Sequence, residues 1–126
     1  MEVMDEGPSV IRKLQNVYVV TTHLDETVRF YRDVLGLPLK FQDAERWAQF
    51  DLDGASFAVS AAGEGSATPG AGAVVVFEVD DLETAMSALR GRGVQPGAVV
   101  DMGPHGRYVT VRDPGGNPIQ LFQRSR

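Results

Sequence analysis

The sequence predicts an α+β protein built from two tandem β-α-β-β-β units. A strand and helix start at 16–24 match 74–82 when the first half is shifted by 58 residues. A shift of 62 residues lays the turn at 51–54 on the turn at 113–116. Between the halves, the glycine-rich stretch 63–72 has the composition of a connector without regular structure. The same order of elements is therefore expected twice.

The first unit opens with a strand at 16–22, where β-branched and aromatic residues dominate. A helix follows, because apolar residues then recur at spacings of four, three and four, which places them on one helix face. These residues are Leu24, Val28, Tyr31 and Leu35. Gly36 and Pro38 end the helix.

The remaining elements are short strands and one more helix. In the first unit, strands are predicted at 38–43, 46–52 and 55–61, the last two joined by an Asp53-Gly54 hairpin turn. The second unit is predicted as strand 73–79, helix 81–90 and strands 97–101, 107–112 and 117–123. The chain is thus expected to form one domain, 1–126, divided into tail 1–14, first unit 15–62, linker 63–72 and second unit 73–124.

Composition excludes several classes of function. A chain of 126 residues with 43% hydrophobic side chains can bury one ordinary core. The net charge of −5 argues against nucleic acid or an anionic membrane as a partner. There is no cysteine, which excludes disulfides, thiolate metal sites and a cysteine nucleophile. The acidic N-terminus lacks the apolar segment of a signal peptide, so we expect a cytoplasmic protein.

Two segments carry a resemblance to a known family. One is Phe30–Leu37; the other, Asp113–Phe122, reads Asp-Pro-Gly-Gly-Asn-Pro-Ile-Gln-Leu-Phe. In this order they closely resemble the glyoxalase, bleomycin-resistance and extradiol-dioxygenase family, the vicinal oxygen chelate (VOC) superfamily. The resemblance covers nearly the whole chain from Asn16 onward. It implies that the eight strands form a curved, open sheet with the helices outside, and that the protein is a homodimer.

The family's metal enzymes take one ligand from each of four strands. The resemblance places those positions at Asn16, Ala58 (or Val59), Val74 and Gln120. Divalent metals prefer imidazoles and ionised carboxylates, which none of these residues supplies. The two histidines, His23 at a helix start and His105 in a loop, fall elsewhere. The sequence therefore predicts no metal site and no cofactor.

Alternation along the strands predicts which side chains face a cavity. Phe57 and Val59 should face the helices, which turns Ala58 and Ser60 to the cavity, in a register that could be off by one. The predicted ligand-binding residues are Asn16, Tyr18, Trp47, Ala58, Val74, Val76, Glu78, Tyr108, Gln120 and Phe122. Tyr18, Glu78 and Gln120 are expected to share one concave pocket.

Several functions fit this cavity. The first is a protein that binds a small hydrophobic or aromatic molecule, as antibiotic-resistance members of the family do. The second is a metal-independent lyase, isomerase or cyclase that uses Glu78 or His105 as an acid or base. Glu78 could instead pair with Arg107 or Arg112 or face solvent, and His105 could simply be exposed. A metal enzyme with another ligand set and a structural or docking role remain further alternatives.

Overall fold

The computed structural model describes residues 15–63, 70, 72 and 74–125 and confirms the predicted α+β fold class. The first unit contains β1 (Val17–Thr21), α1 (Leu24–Arg29), β2 (Leu39–Asp43), β3 (Trp47–Leu52) and β4 (Ala55–Ala61). The second contains β5 (Val75–Glu78), α2 (Leu82–Gly91), β6 (Val100–Asp101), β7 (Arg107–Arg112) and β8 (Pro118–Gln123). A π-helical turn, Phe30–Val34, prolongs α1, and Gly103–His105 forms a 3₁₀ turn.

The strands form two four-stranded sheets of the same topology. Their orders are β1-β4-β3-β2 and β5-β8-β7-β6. In each sheet the first two strands of this order run parallel and the other neighbours run antiparallel. The β-α-β-β-β order predicted from the two sequence shifts is therefore present twice. The predicted tail 1–14 and most of the predicted linker lie outside the described residues.

Local chemistry explains where the second unit departs from the predicted bounds. Asp81 precedes α2, because its carboxylate accepts a hydrogen bond from the backbone N–H of Thr84 (3.0 Å) and so caps the helix from outside. The strand predicted at 97–101 is shortened to Val100–Asp101. Its first residue, Gly97, donates instead to the carbonyl of Thr110 (3.0 Å). The Asp53-Gly54 hairpin is present as predicted, with φ of 48° and 82°.

One aromatic cluster joins the two units. The ring of Phe57 lies 4.8 Å from that of Tyr31 and 5.5 Å from that of Phe77. Tyr31 and Phe57 belong to the first unit and Phe77 to the second, so the core is continuous across the repeat. All three side chains are almost completely removed from water, which makes this cluster a main source of hydrophobic stabilisation.

A buried hydrogen-bond network also joins the units, and we call it the polar junction: Tyr31, Asp113, Asn117 and the carbonyl of Val20. The Tyr31 hydroxyl donates to Asp113 Oδ2 (2.7 Å). Asn117 Nδ2 donates to the Val20 carbonyl (2.9 Å) and to both carboxylate oxygens of Asp113. Burial, followed by the negative charge of Asp113, raises the pKa of Tyr31 far above its usual value. The phenol is thus held as a neutral donor.

Candidate ligand-binding site

Each sheet has an inner face, which is the face opposite the helices and the core. In the first sheet Val19 and Val59 are paired neighbours that both belong to the core. Tyr18 and Ala58, the next pair, therefore point to the inner face. The register predicted for strand 55–61 is right, because Phe57 and Val59 both lie in the core cluster.

An aromatic pair occupies the inner face of the first sheet. The rings of Tyr18 and Trp47 lie 5.2 Å apart at an interplanar angle of 56°. Trp47 Nε1–H donates to Gln49 Oε1 (3.2 Å), which fixes the indole along its own strand. Both aromatic side chains are only partly buried. Their accessible surface suits contact with a flat or apolar molecule.

The inner face of the second sheet carries apolar and amide side chains. Val76 is paired with Gln120, and Gln120 with Thr110. The next row along the strands contains Tyr108 paired with Phe122. Val76 is 54% exposed although it lies inside a strand. The predicted alternation therefore holds in this sheet, and it presents an unusually accessible apolar surface.

A glycine shapes the wall beside Phe122. A Cβ built on Gly106 would lie 2.8 Å from Phe122 Cε1 and 2.4 Å from the carbonyl oxygen of Gln123. The residue also has a φ of 102°, which L side chains rarely adopt. Glycine is therefore required for the 103–106 turn to pack against this aromatic ring. Sequence reasoning did not single out Gly106, although its place between His105 and a predicted strand could have suggested a tight turn.

Glu78 is an ion-pair partner on the edge of this surface. Its carboxylate lies 3.0 Å from Arg124 Nε, and its side chain is 51% exposed. The predicted pairing of Glu78 with Arg107 or Arg112 is wrong. Arg107 donates to Glu83 from both terminal guanidinium nitrogens, and Arg112 donates to the carbonyl of Gly116. The hydrogen bond from Arg107 lowers the pKa of Glu83. The alternative prediction, that Glu78 faces solvent, agrees with its half-exposed side chain.

A family model describes the chain almost from end to end. The model of the Glyoxalase/Bleomycin resistance protein/Dioxygenase superfamily matches residues 13–121. The chain belongs to this superfamily. No curated protein sequence matches it.

Solved structures of superfamily type share the fold. TnmS3, an antibiotic-binding protein from Streptomyces sp. CB03234, is 25% identical, with a TM-score of 0.78 over 94% of this chain and 100% of its own. Lactoylglutathione lyase from Agrobacterium tumefaciens is 18% identical, with a TM-score of 0.75 over 91% and 96%. A glyoxalase/bleomycin resistance protein/dioxygenase from Nocardioides is 24% identical, with a TM-score of 0.69 over 92% and 86%.

The positions where the superfamily resemblance would place metal ligands carry no ionisable group. Asn16 directly precedes β1 and Val74 directly precedes β5, while Ala58 and Gln120 lie within strands on the inner faces. Within the described residues, no three His, Asp or Glu side chains are grouped so that they could hold a metal ion. His23 begins α1 without a side-chain cap, and His105 is exposed in its turn.

The inner-face residues are divided between the two sheets. Tyr18, Trp47 and Ala58 belong to the first sheet, whereas Gln120 and Phe122 belong to the second. Four cavities stand out in the described part of the chain, and none is lined by these five residues. Gln49 and Thr110 are inner-face residues that the prediction missed. Alternation from Trp47 and Tyr108 would have found them, since each lies two residues further along the same strand as a predicted residue.

No helix among the described residues is long and apolar enough to cross a lipid bilayer.

Proposed function

We propose that this superfamily member is a cytoplasmic, metal-independent protein that binds a small hydrophobic or aromatic molecule on the inner faces of its sheets. The observation that carries the proposal is the accessible row Val76–Gln120–Thr110, in which a valine inside a strand stays 54% exposed beside two polar side chains. An apolar surface with a few polar groups is the usual form of a small-molecule site.

The side chains of the inner faces offer different kinds of contact to a ligand. Tyr18 and Trp47 offer ring surface for stacking or apolar contact. Gln120 can both donate and accept hydrogen bonds, so it can orient a carbonyl or hydroxyl group. Phe122 adds a second aromatic wall, set by Gly106. This set has no strong nucleophile, and it recognises shape and polarity.

The structural relatives support a binding role. TnmS3, which has the same fold and 25% identity, is an antibiotic-binding protein. No observation favours acid–base catalysis over binding. The carboxylate of Glu78 is held by Arg124 in a half-exposed position, and His105 lies in an exposed turn.

Pairing of two copies is a further part of the proposal. Large apolar side chains remain exposed along both sheets, among them Val74, Val76, Val100 and Phe41. Large apolar side chains that remain exposed on sheets are candidates for burial in a protein interface. A two-fold dimer is the commonest way to cover such a surface. A native mass spectrum should therefore show about twice the chain mass of 13.6 kDa, together with any small molecule retained through purification.

Replacement of Gln120 by Leu tests the ligand site. The substitution should weaken binding of a co-purified ligand by about 1–3 kcal/mol, because one buried polar partner loses its hydrogen bond. Gln42→Leu, at an exposed glutamine of β2, is the matched control and should leave affinity unchanged. Titration calorimetry measures the ligand affinity of both variants. As a separate test for a bound metal, EDTA treatment should leave the melting temperature of the protein unchanged. Equal affinities in the two variants, or a metal retained after dialysis, would overturn the proposal.

A further inference from the structure

One of the four cavities lies behind the inner faces, on the helix side of the molecule. It has a volume of about 260 Å³ and lies among the end of α1, the β3–β4 hairpin and α2. We call this region the apolar junction. Most of the residues that line it are apolar, and they include Leu35, Leu37, Leu52, Phe77, Ala88 and Leu89.

The polar junction shows how the equivalent space is filled in the other half. The shift of 58 residues relates Leu89 to Tyr31, and both are buried. Leu52 ends the β3–β4 ladder opposite Ala55, as Asp113 closes the β7–β8 loop opposite Asn117. At the polar junction, the longer tyrosine reaches the aspartate and occupies the gap. Leucine side chains carry no polar group that could form such a bond, and a cavity remains between the elements of the apolar junction.

Two charged residues, Glu78 and Arg92, border the cavity, and both are exposed. Glu78 follows Phe77 in a strand, so its side chain points away from the core and instead holds Arg124. Arg92 donates from Nη1 to the carbonyl of Val34, which also lines the cavity. No carboxylate among the described residues forms an ion pair with Arg92. Its guanidinium thus keeps further N–H donors at an apolar opening, and no carboxylate of the described residues neutralises its charge.

Apart from the carbonyl of Val34, which binds Nη1, the backbone carbonyls closest to Arg92 in sequence already have donors. The carbonyls of Ala88, Leu89 and Arg90 already accept hydrogen bonds from the N–H groups that follow α2. An anion is therefore the natural partner of the guanidinium, which matches the planar geometry of a carboxylate.

We propose that the apolar junction is a second binding site, which takes a small organic carboxylate. The apolar body of the ligand fills the cavity and its carboxylate binds Arg92. The volume of 260 Å³ corresponds to about nine water molecules of roughly 30 Å³ each. It lies just below the range of about 300–1,000 Å³ typical of drug-sized ligands. The ligand is thus expected to have about ten non-hydrogen atoms. This inference does not rest on the proposed function of the inner faces.

Phenylacetate is a suitable probe because it combines a compact apolar body with a carboxylate. Titration into the labelled full-length protein, followed by amide NMR, should shift resonances of 34–37, 77–79 and 85–92. Arg92→Gln should weaken the apparent affinity about tenfold, since it removes a charge-assisted hydrogen bond. Arg90→Gln is the matched control, because Arg90 is an exposed arginine of α2 that does not line the cavity.

Two further arms keep the test decisive. Ala88→Leu places a good helix former inside the cavity and should abolish the shifts without depending on Arg92. The neutral amide 2-phenylacetamide should bind at least fivefold more weakly than phenylacetate. Equal binding of acid and amide, binding that persists in Ala88→Leu, or no shift at millimolar phenylacetate would overturn the proposal. Shifts confined to Tyr18, Trp47 and Gln120 would also overturn it, while supporting the inner-face site.

Discussion

The two junctions between the repeat units lie at corresponding places in the fold, but one is tightly packed and the other contains a cavity. The polar junction is closed by buried hydrogen bonds and by tight backbone contact. A Cβ on Gly115 would lie 2.6 Å from Thr21 Oγ1 there. The apolar junction has Leu89 in place of Tyr31, and Leu52 at the strand-pairing position of Asp113, and it contains a cavity of about 260 Å³.

This difference shows that the two copies of a repeated unit can contribute differently to stability and to binding. Buried polar networks are stabilising only when every member is satisfied, and they then specify one arrangement. In the described part of the polar junction, no buried side-chain polar atom lacks a partner. An unfilled apolar space costs stability, yet it can accept a ligand. We therefore expect one junction to determine stability and the other to determine binding.

The largest expected effect comes from Asp113→Ala. Both carboxylate oxygens accept hydrogen bonds: those from Tyr31 and Asn117 are buried, and that from Gly115 is partly buried. Their loss should lower the free energy of unfolding by about 3–5 kcal/mol, because several donors become unsatisfied. Denaturant unfolding measures this loss. Asp51→Ala, which removes an exposed carboxylate paired with Lys40 at 3.7 Å, should cost less than about 0.5 kcal/mol. Similar losses in both variants would show that the buried hydrogen bonds of Asp113 do not contribute to stability beyond a surface carboxylate.

Tyr31→Phe should have an intermediate effect with a distinctive pH dependence. The loss of one donor to a buried carboxylate should cost about 1–2 kcal/mol at neutral pH. The pKa of Tyr31 is raised in the folded state, so the folded protein keeps the phenol neutral while the unfolded chain ionises it above about pH 10. The stability due to this neutral phenol is therefore fully present below that pH and declines as the pH rises.

The matching measurement compares unfolding midpoints at pH 9 and pH 11. The native protein should lose more stability over this interval than Tyr31→Phe does, and Tyr108→Phe serves as the control at a partly buried tyrosine. Parallel pH profiles for the native protein and Tyr31→Phe would show that the phenol is not linked to folding.

Among the substitutions at the two junctions, the smallest effect is expected at the apolar junction. Leu52→Ala should lower the free energy of unfolding by about 1 kcal/mol, because the side chain is already 38% exposed and borders a space that is open. The same denaturant series gives this value. A loss as large as that of Asp113→Ala would mean that the hairpin leucine is a core residue and that the two junctions are equally tight.

The sequence by itself determined the features that depend on one element or one turn. Spacing along 24–35 indicated the first helix, and positive φ at Asp53 and Gly54 follows from their hairpin composition. Alternation assigned Ala58 and Gln120 to the inner faces, with the correct register. The two sequence shifts revealed the repeat. Each of these inferences uses local backbone geometry, which a short window of residues already specifies.

Only the tertiary structure decided which distant groups meet. Tyr31 reads in the sequence as an ordinary member of a helix face, yet its hydroxyl binds Asp113, 82 residues away. The partner of Glu78 is Arg124 rather than either arginine expected from the neighbouring strands. The cavity beside Arg92 arises because a short hairpin and two leucines leave a gap between elements. Such features depend on the packing of whole units, and sequence periodicity carries no information about distances between them.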